Sequence, residues 1–215
     1  MFIEQPPKIF RLLNPEGIYR IPPGEEWREE REERADIGKK VYLTFDDGPI
    51  PEATPHVLDI LDRYGIKATF FMVGDNVRKY PLLYEEVRRR GHRVGNHTMH
   101  HLQGVKCATD SYLKDIDEAS RFIDSDLFRP PHGWLRREQA RRLIRDFKII
   151  MFDLVTRDYS RRVDAAGVVK NVKRYSRPGS IIVFHDSIKS IGKLETALPE
   201  SIEWLQKEGY TFHLL

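Results

Sequence analysis

From Lys39 onward the chain alternates short, densely apolar runs with longer segments in which apolar residues recur every three or four positions. The runs 41–46, 68–73, 93–97, 126–129, 149–154, 180–185 and 210–214 are rich in β-branched, aliphatic and aromatic residues and have the length of strands. Between them, segments 55–64, 82–90, 111–123, 137–147, 165–174 and 194–207 have the length of helices. Leu58, Ile60 and Leu61 in the first, and Ile116, Ala119 and Ile123 in the third, carry the spacing of a buried helix face. Gly65, Gly91 and Gly209 each follow such a segment, where a left-handed cap is expected.

Alternating strands and helices predict a parallel sheet with right-handed crossovers. Continuous runs such as Ile181-Ile182-Val183-Phe184 suit strands buried on both faces. An open doubly wound sheet and a closed barrel satisfy this pattern equally, so the pattern predicts α/β with about seven strands and no more.

The first 38 residues read differently. Proline pairs at Pro6 and Pro22 bracket an apolar stretch with Ile9, Phe10, Leu12, Leu13, Ile18 and Tyr19, followed by a run of Glu and Arg through Arg34. Arg28 and Glu32, and Glu30 and Arg34, are opposite charges four residues apart, the pairing of a solvated helix. The chain is therefore divided into an arm with a charged helix, 1–38, and a main domain, 39–215.

Composition narrows the chemistry. The 215 residues carry 36 Lys and Arg against 33 Asp and Glu, a net +3, with no basic stripe interleaved with aromatics that would suit nucleic acid. No apolar run has the length of a transmembrane helix, and the N-terminus lacks a secretory pattern. A cytoplasmic location is expected, or export of a chain whose leader has been trimmed. The single Cys107 leaves any metal to His, Asp and Glu, and there are 8 histidines.

In parallel α/β folds, chemistry gathers at the C-terminal ends of the strands. Those ends deliver Asp46-Asp47-Gly48-Pro49, Gly74-Asp75, Asn96-His97, Arg129-Pro130-Pro131-His132-Gly133, the stretch from Asp153 to Asp158, and His185-Asp186. Asp46 and Asp47 can both enter one cleft if the chain turns there, and two adjacent acids repel unless a cation or proton is shared. His97 and His101 are four apart, which places both imidazoles on one face of a helix. With Asp47 they form a two-histidine, one-carboxylate set with open positions for water and substrate. Asp46 is then the candidate base and His185 the candidate acid.

The ordered set TFDDGP, HTxxH, RPPxG, a late DY and FHD resembles the polysaccharide deacetylases of the NodB-homology type, carbohydrate esterase family 4, over about Val41 to Leu215. The resemblance implies a distorted (β/α) barrel that removes the acetyl group from an N-acetylated sugar or glycan, usually with zinc, though cobalt, nickel or manganese could serve. It implies Asp46 as base, Asp47, His97 and His101 as metal ligands, Arg129 as the residue orienting the base, and Asp158 as the partner of the acid His185. A backbone N–H after Arg129 would help hold the oxyanion. Pro131, Gly133, Tyr159 and Phe184 are expected along the substrate groove. Tyr159 stands where the family usually has tryptophan, Val155 replaces an aspartate, and Phe184 replaces Leu or Ile, so substrate identity is the open point. An amidohydrolase of small amides, formamides or cyclic imides, and a silent sugar-binding module, are the alternatives. Phe10, Leu12 and Leu13 are expected to cover the barrel end opposite the active residues.

Overall fold

The computed structural model describes residues 4–25 and 38–215. The Glu/Arg run from Glu26 to Arg34, read above as a charged helix, lies outside the described residues. The elements in chain order are α1 (Lys8–Leu13), β1 (Lys39–Asp46), α2 (Thr54–Arg63), β2 (Thr69–Met72), α3 (Gly74–Lys79), α4 (Pro81–Arg89), β3 (Arg93–Asn96), α5 (Thr109–Ala119), β4 (Leu127–Phe128), α6 (Arg137–Leu143), β5 (Lys148–Ile149), β6 (Leu154–Val155), α7 (Ala165–Tyr175), β7 (Ser180–His185), α8 (Ile191–Lys207) and β8 (Tyr210–Phe212).

All strand pairs are parallel, in the order β5-β4-β3-β2-β1-β7-β6, with β8 pairing the first residues of β1. The sheet curls into a distorted (β/α) barrel. Strand alternation sorts the side chains. From β1, Val41, Leu43 and Phe45 pack outward with Phe70, Ile182 and Phe184 against the helices, as do Leu58 and Leu61 of α2 and Leu198 and Ile202 of α8. Tyr42 instead faces inward with Phe71, Leu127, Ile150 and Ile181. Thr44 and Asp46 continue this inward face toward the C-terminal end of β1. Gly65, Gly91 and Gly209 take φ of 64°, 82° and 79°, the left-handed caps the sequence predicts.

Two elements differ from the sequence pattern. The apolar run 149–154 divides into β5 and β6, because Ile150 and Met151 give their backbone to Phe128, Ile18 and Arg129 rather than to one continuous ladder. Helix α3 was not visible in the pattern, since its six residues offer a single buried apolar side chain, Val77.

The gap between edge strands β5 and β6 is spanned by the N-terminal segment. Ile18 forms a parallel bridge with Ile150, and Arg20 an antiparallel one with Ser180. Ile21 and Ile18 join the inward cluster at the N-terminal ends of the strands, beside Leu215. Phe10 instead joins a separate cluster with Tyr112 and Ile116 of α5 and Leu143 of α6, edge-on to Trp134 at 4.7 Å, while Leu12 and Leu13 are 71% and 56% exposed. The arm thus covers the closed end with Ile18 and Ile21, not with Phe10, Leu12 and Leu13. The six-residue α1 turns the latter two outward.

Candidate active site

The C-terminal end of β1 opens the site. Asp46 is the last residue of the strand and faces the barrel interior, in register with His185 on β7. Asp47 follows with φ of 85°, and this left-handed turn, which aspartate tolerates better than most residues, swings the second carboxylate into the same cleft. The turn is held from behind by Asp186, which the sequence reading had given no role. Its carboxylate accepts from the Gly48 N–H at 3.2 Å and the Thr54 hydroxyl at 2.6 Å, and a Cβ at Gly48 would collide with it. Burial, with the charge of Asp47, pushes Asp186 up to about 8 despite these bonds.

His97 and His101 are not on a helix. They lie on the loop after β3, with φ of 67° at Thr98 and 54° at His101. Asp115 of α5 fixes that loop, accepting from the N–H groups of Met99 and His100 at 2.9 and 3.2 Å and lying 2.6 Å from His100 Nδ1. Asn96 Oδ1 accepts from the Thr98 N–H, and the Thr98 hydroxyl accepts from Leu102.

Asp47, His97 and His101 present one ligand atom each, all within 4.8 Å of one another. His101 Nε2 is 3.1 Å and His97 Nε2 3.9 Å from Asp47 Oδ1. The His97 Nδ1 lies 2.8 Å from the Arg129 carbonyl. A carbonyl only accepts, so Nδ1 carries the proton and Nε2 turns its lone pair toward Asp47. Burial drives His97 down to about 4, with the charges of Asp46 and Asp47 offsetting only part. Burial pushes Asp47 up, but the His101 hydrogen bond and the His185, His97 and His101 charges outweigh it and hold the carboxyl well below its usual range. A neutral imidazole and an ionised carboxylate are the forms a divalent cation needs, so the donor set fits such an ion.

Asp46 and His185 flank this triad. Arg129 is buried under the site, its Nη1 donating to Asp46 Oδ1 at 2.6 Å and to the Thr44 hydroxyl at 2.8 Å. Its other nitrogens reach the Ile150 and Met151 carbonyls, and the guanidinium lies 4.0 Å over the Phe71 ring. On the other side Asp158, fully buried, takes the His185 N–H at 2.7 Å and lies 2.8 Å from its Nδ1. Burial lowers the His185 pKa, but the Asp158 charge and hydrogen bond, with Asp47 and Asp46 beyond, raise it to about 9.

The expected groove residues divide. Tyr159 is part-exposed, edge-on to His185 at 4.8 Å. Pro131 and Gly133 are buried in the loop after β4. Phe184 is not in the cleft: strand alternation that points His185 inward turns Phe184 outward, fully buried and stacked on Phe45 at 5.8 Å. Asp75 also leaves the site, paired with Arg78 and Lys79 on the surface of α3. Asp153 pairs with Arg11 and Arg177. Because Pro130 and Pro131 have no N–H, the first backbone donor after Arg129 belongs to His132, whose ring is edge-on to His101 at 5.0 Å. The sequence assigns no role to His132, Thr44 or Asp115. Thr44 could have been found from its place two residues before Asp46 on one strand face.

This polar cluster stands at the C-terminal mouth of the barrel, and the chain's deacetylase relatives place it among the hydrolases acting on carbon–nitrogen bonds other than peptide bonds. The polysaccharide deacetylase family model matches residues 33–149. The chain belongs to that family. It is 32% identical over 182 residues to a peptidoglycan-N-acetylglucosamine deacetylase of Bacillus cereus, covering 81% of this chain and 85% of the relative. A chitooligosaccharide deacetylase of Bradyrhizobium is 33% identical over 197 residues, covering 82% of this chain and 89% of its own. A crystal structure of a peptidoglycan N-acetylglucosamine deacetylase superimposes with a TM-score of 0.78 at 32% identity, covering 83% of this chain and 86% of that one. Among the described residues, no helix is long and apolar enough to cross a membrane.

Proposed function

We propose that this protein removes the N-acetyl group from an N-acetylated sugar or glycan, with Asp46 as base, His185 as acid, and a divalent ion, zinc by preference, held by Asp47, His97 and His101. The observation that carries this reading is the placing of a carboxylate fixed by Arg129 and an imidazole paired with Asp158 beside one cation-ready triad. When bound, the ion supplies Lewis acidity to the acyl oxygen and to water. Asp46 takes the proton of the attacking water. Its Oδ1 is occupied by Arg129, which leaves Oδ2 for that proton and fixes the carboxylate plane. His185, held as the cation by Asp158, gives its Nε2 proton to the departing amine, and Asp158 keeps the ring in the tautomer and orientation for that transfer. The His132 N–H is the backbone donor nearest in sequence for the developing oxyanion.

The substrate class is supported by the deacetylases this chain resembles and by the part-exposed rings of Trp134 and Tyr159, whose faces suit the CH surface of a pyranose. The test is acetate release from chitooligosaccharides, peptidoglycan fragments, small N-acylated sugars and simple amides, with metal content measured on the same samples. Asp46→Asn is expected to lower kcat by about 10³-fold or more with metal retained. His97→Ala or His101→Ala is expected to lose the metal and the activity together. Full activity in metal-stripped His97→Ala protein overturns the reading, and release from simple amides alone replaces the sugar by a small amide.

A further inference from the structure

The loop that carries Asp158 is clamped from two sides by residues remote from it in sequence. On one side, Lys193 of α8 donates to the carbonyls of Asp158 and Ser160 at 2.6 and 2.7 Å. On the other stands Glu4, ahead of the family-matched region. Its carbonyl accepts the Val155 N–H at 2.8 Å, extending the edge of β6 by one bond, and its carboxylate meets Arg157 Nη1 at 2.6 Å. The Arg157 side chain is 12% exposed, so this pair is screened far less than a surface one.

Arg157 is the residue immediately before Asp158, and its φ is 64°. A non-glycine residue in the left-handed region is strained and persists only where its surroundings enforce it. The turn at Arg157 is what sends the next side chain back under β7, where Asp158 receives both the N–H and the ring nitrogen of His185 and the Tyr159 N–H. The rest of the segment is anchored along the same seam. Arg11 pairs with the fully buried Asp153 at 2.8 Å, and the Ile18 N–H donates to the Ile149 carbonyl at 2.8 Å. Glu4 is therefore the end of a docked segment rather than an isolated surface acid.

We infer that Glu4 is a positioning residue of the active site: through its ion pair with Arg157 it holds the left-handed turn from which Asp158 orients His185. The inference rests on His185 being the acid proposed above. It makes the N-terminal segment part of the catalytic unit, acting on the Asp158–His185 side of the cleft.

The experiment uses the full chain with Glu4→Gln and Glu4→Asp. Steady-state deacetylation, the thermal midpoint, metal content, and the low-field NMR signal of the His185 Nδ1 proton are read on each. Glu4→Gln is expected to lower kcat about tenfold with KM changed less than twofold, since a slightly misplaced proton donor costs rate and not binding. The His185 signal is expected to shift and broaden, while metal content holds. Glu4→Asp, which keeps the charge, is expected to retain most of the rate and an ordered signal. Unchanged kcat and an unchanged His185 signal in Glu4→Gln overturn the inference, as does a rate loss that only follows a fall in thermal midpoint. The NMR reading needs no substrate, so a wild-type protein that releases no acetate removes the functional proposal while Glu4's hold on His185 is still decided.

Discussion

His185 shows how much of the chemistry is set by one neighbour. Burial by itself would make the ring a weak acid carrier, neutral at ordinary pH, and Asp158, with Asp47 and Asp46 beyond it, reverses that to about 9. Only the cation can protonate a leaving nitrogen, so the alkaline limb of kcat is expected as pH rises through about 9. Asp158→Asn removes the charge and leaves burial in control. The alkaline limb is then expected to move down by at least ~1 pH unit, with kcat lowered about 100-fold, read from a pH–rate profile. The same shift links to stability, because the folded pKa lies above the unfolded value near 6.5. His185 therefore contributes stability fully below about pH 6.5, and that contribution is lost as pH rises through about 9, measurable as a denaturation midpoint against pH. Asp46 and Asp47 teach the converse lesson. Their adjacency was legible in the sequence, but the device that aims both into one cleft, a left-handed backbone at Asp47 with Asp186 behind it, depends on a residue 138 positions beyond Gly48.

At the scale of elements, the loop after β3 that carries His97 and His101 owes its shape to α5. Asp115 lies on the buried face of that helix with Tyr112, Ile116 and Ala119, a carboxylate where an apolar residue is the rule. It accepts two backbone N–H groups of the loop that carries His97 and His101. Asp115→Ala frees that loop and is expected to weaken metal affinity by about 10- to 100-fold, as loss of a supporting partner does, checked by competition with a chelator. The His97/His101 spacing was visible in the sequence and suggested a helix. A loop serves instead, because left-handed residues at Thr98 and His101 bring the rings together and Asn96 and Asp115 supply the hydrogen bonds a helix would have made internally. Phe184 failed as a groove residue for an elementary reason: period two on a strand allows His185 or Phe184 to face the cleft, not both.

The whole molecule is a barrel whose seam is spanned by its own N-terminal segment. Ile21, 4% exposed, fills the interior beside Tyr42 and Leu215, so Ile21→Ala is expected to cost about 2–4 kcal/mol in urea unfolding. Leu12→Ala, on the exposed side of α1, is expected to change stability by less than about 0.5 kcal/mol. Equal losses at the two positions would mean that the arm packs otherwise. By itself the sequence determined the alternation of strands and helices, the parallel sheet, and the strand ends that carry Asp46, Asp47, His97, Arg129, Asp158 and His185, because periodicity and motif order are local properties. The motif resemblance added that the sheet closes into a barrel, but tertiary structure alone decided that Ile18 and Ile21 rather than Leu12 and Leu13 enter it, and that Thr44, Asp115, Asp186 and Glu4 brace the site. Those outcomes rest on hydrogen bonds and packing between segments far apart in the chain, and no local pattern of apolar and polar residues records which distant partner a buried group will meet.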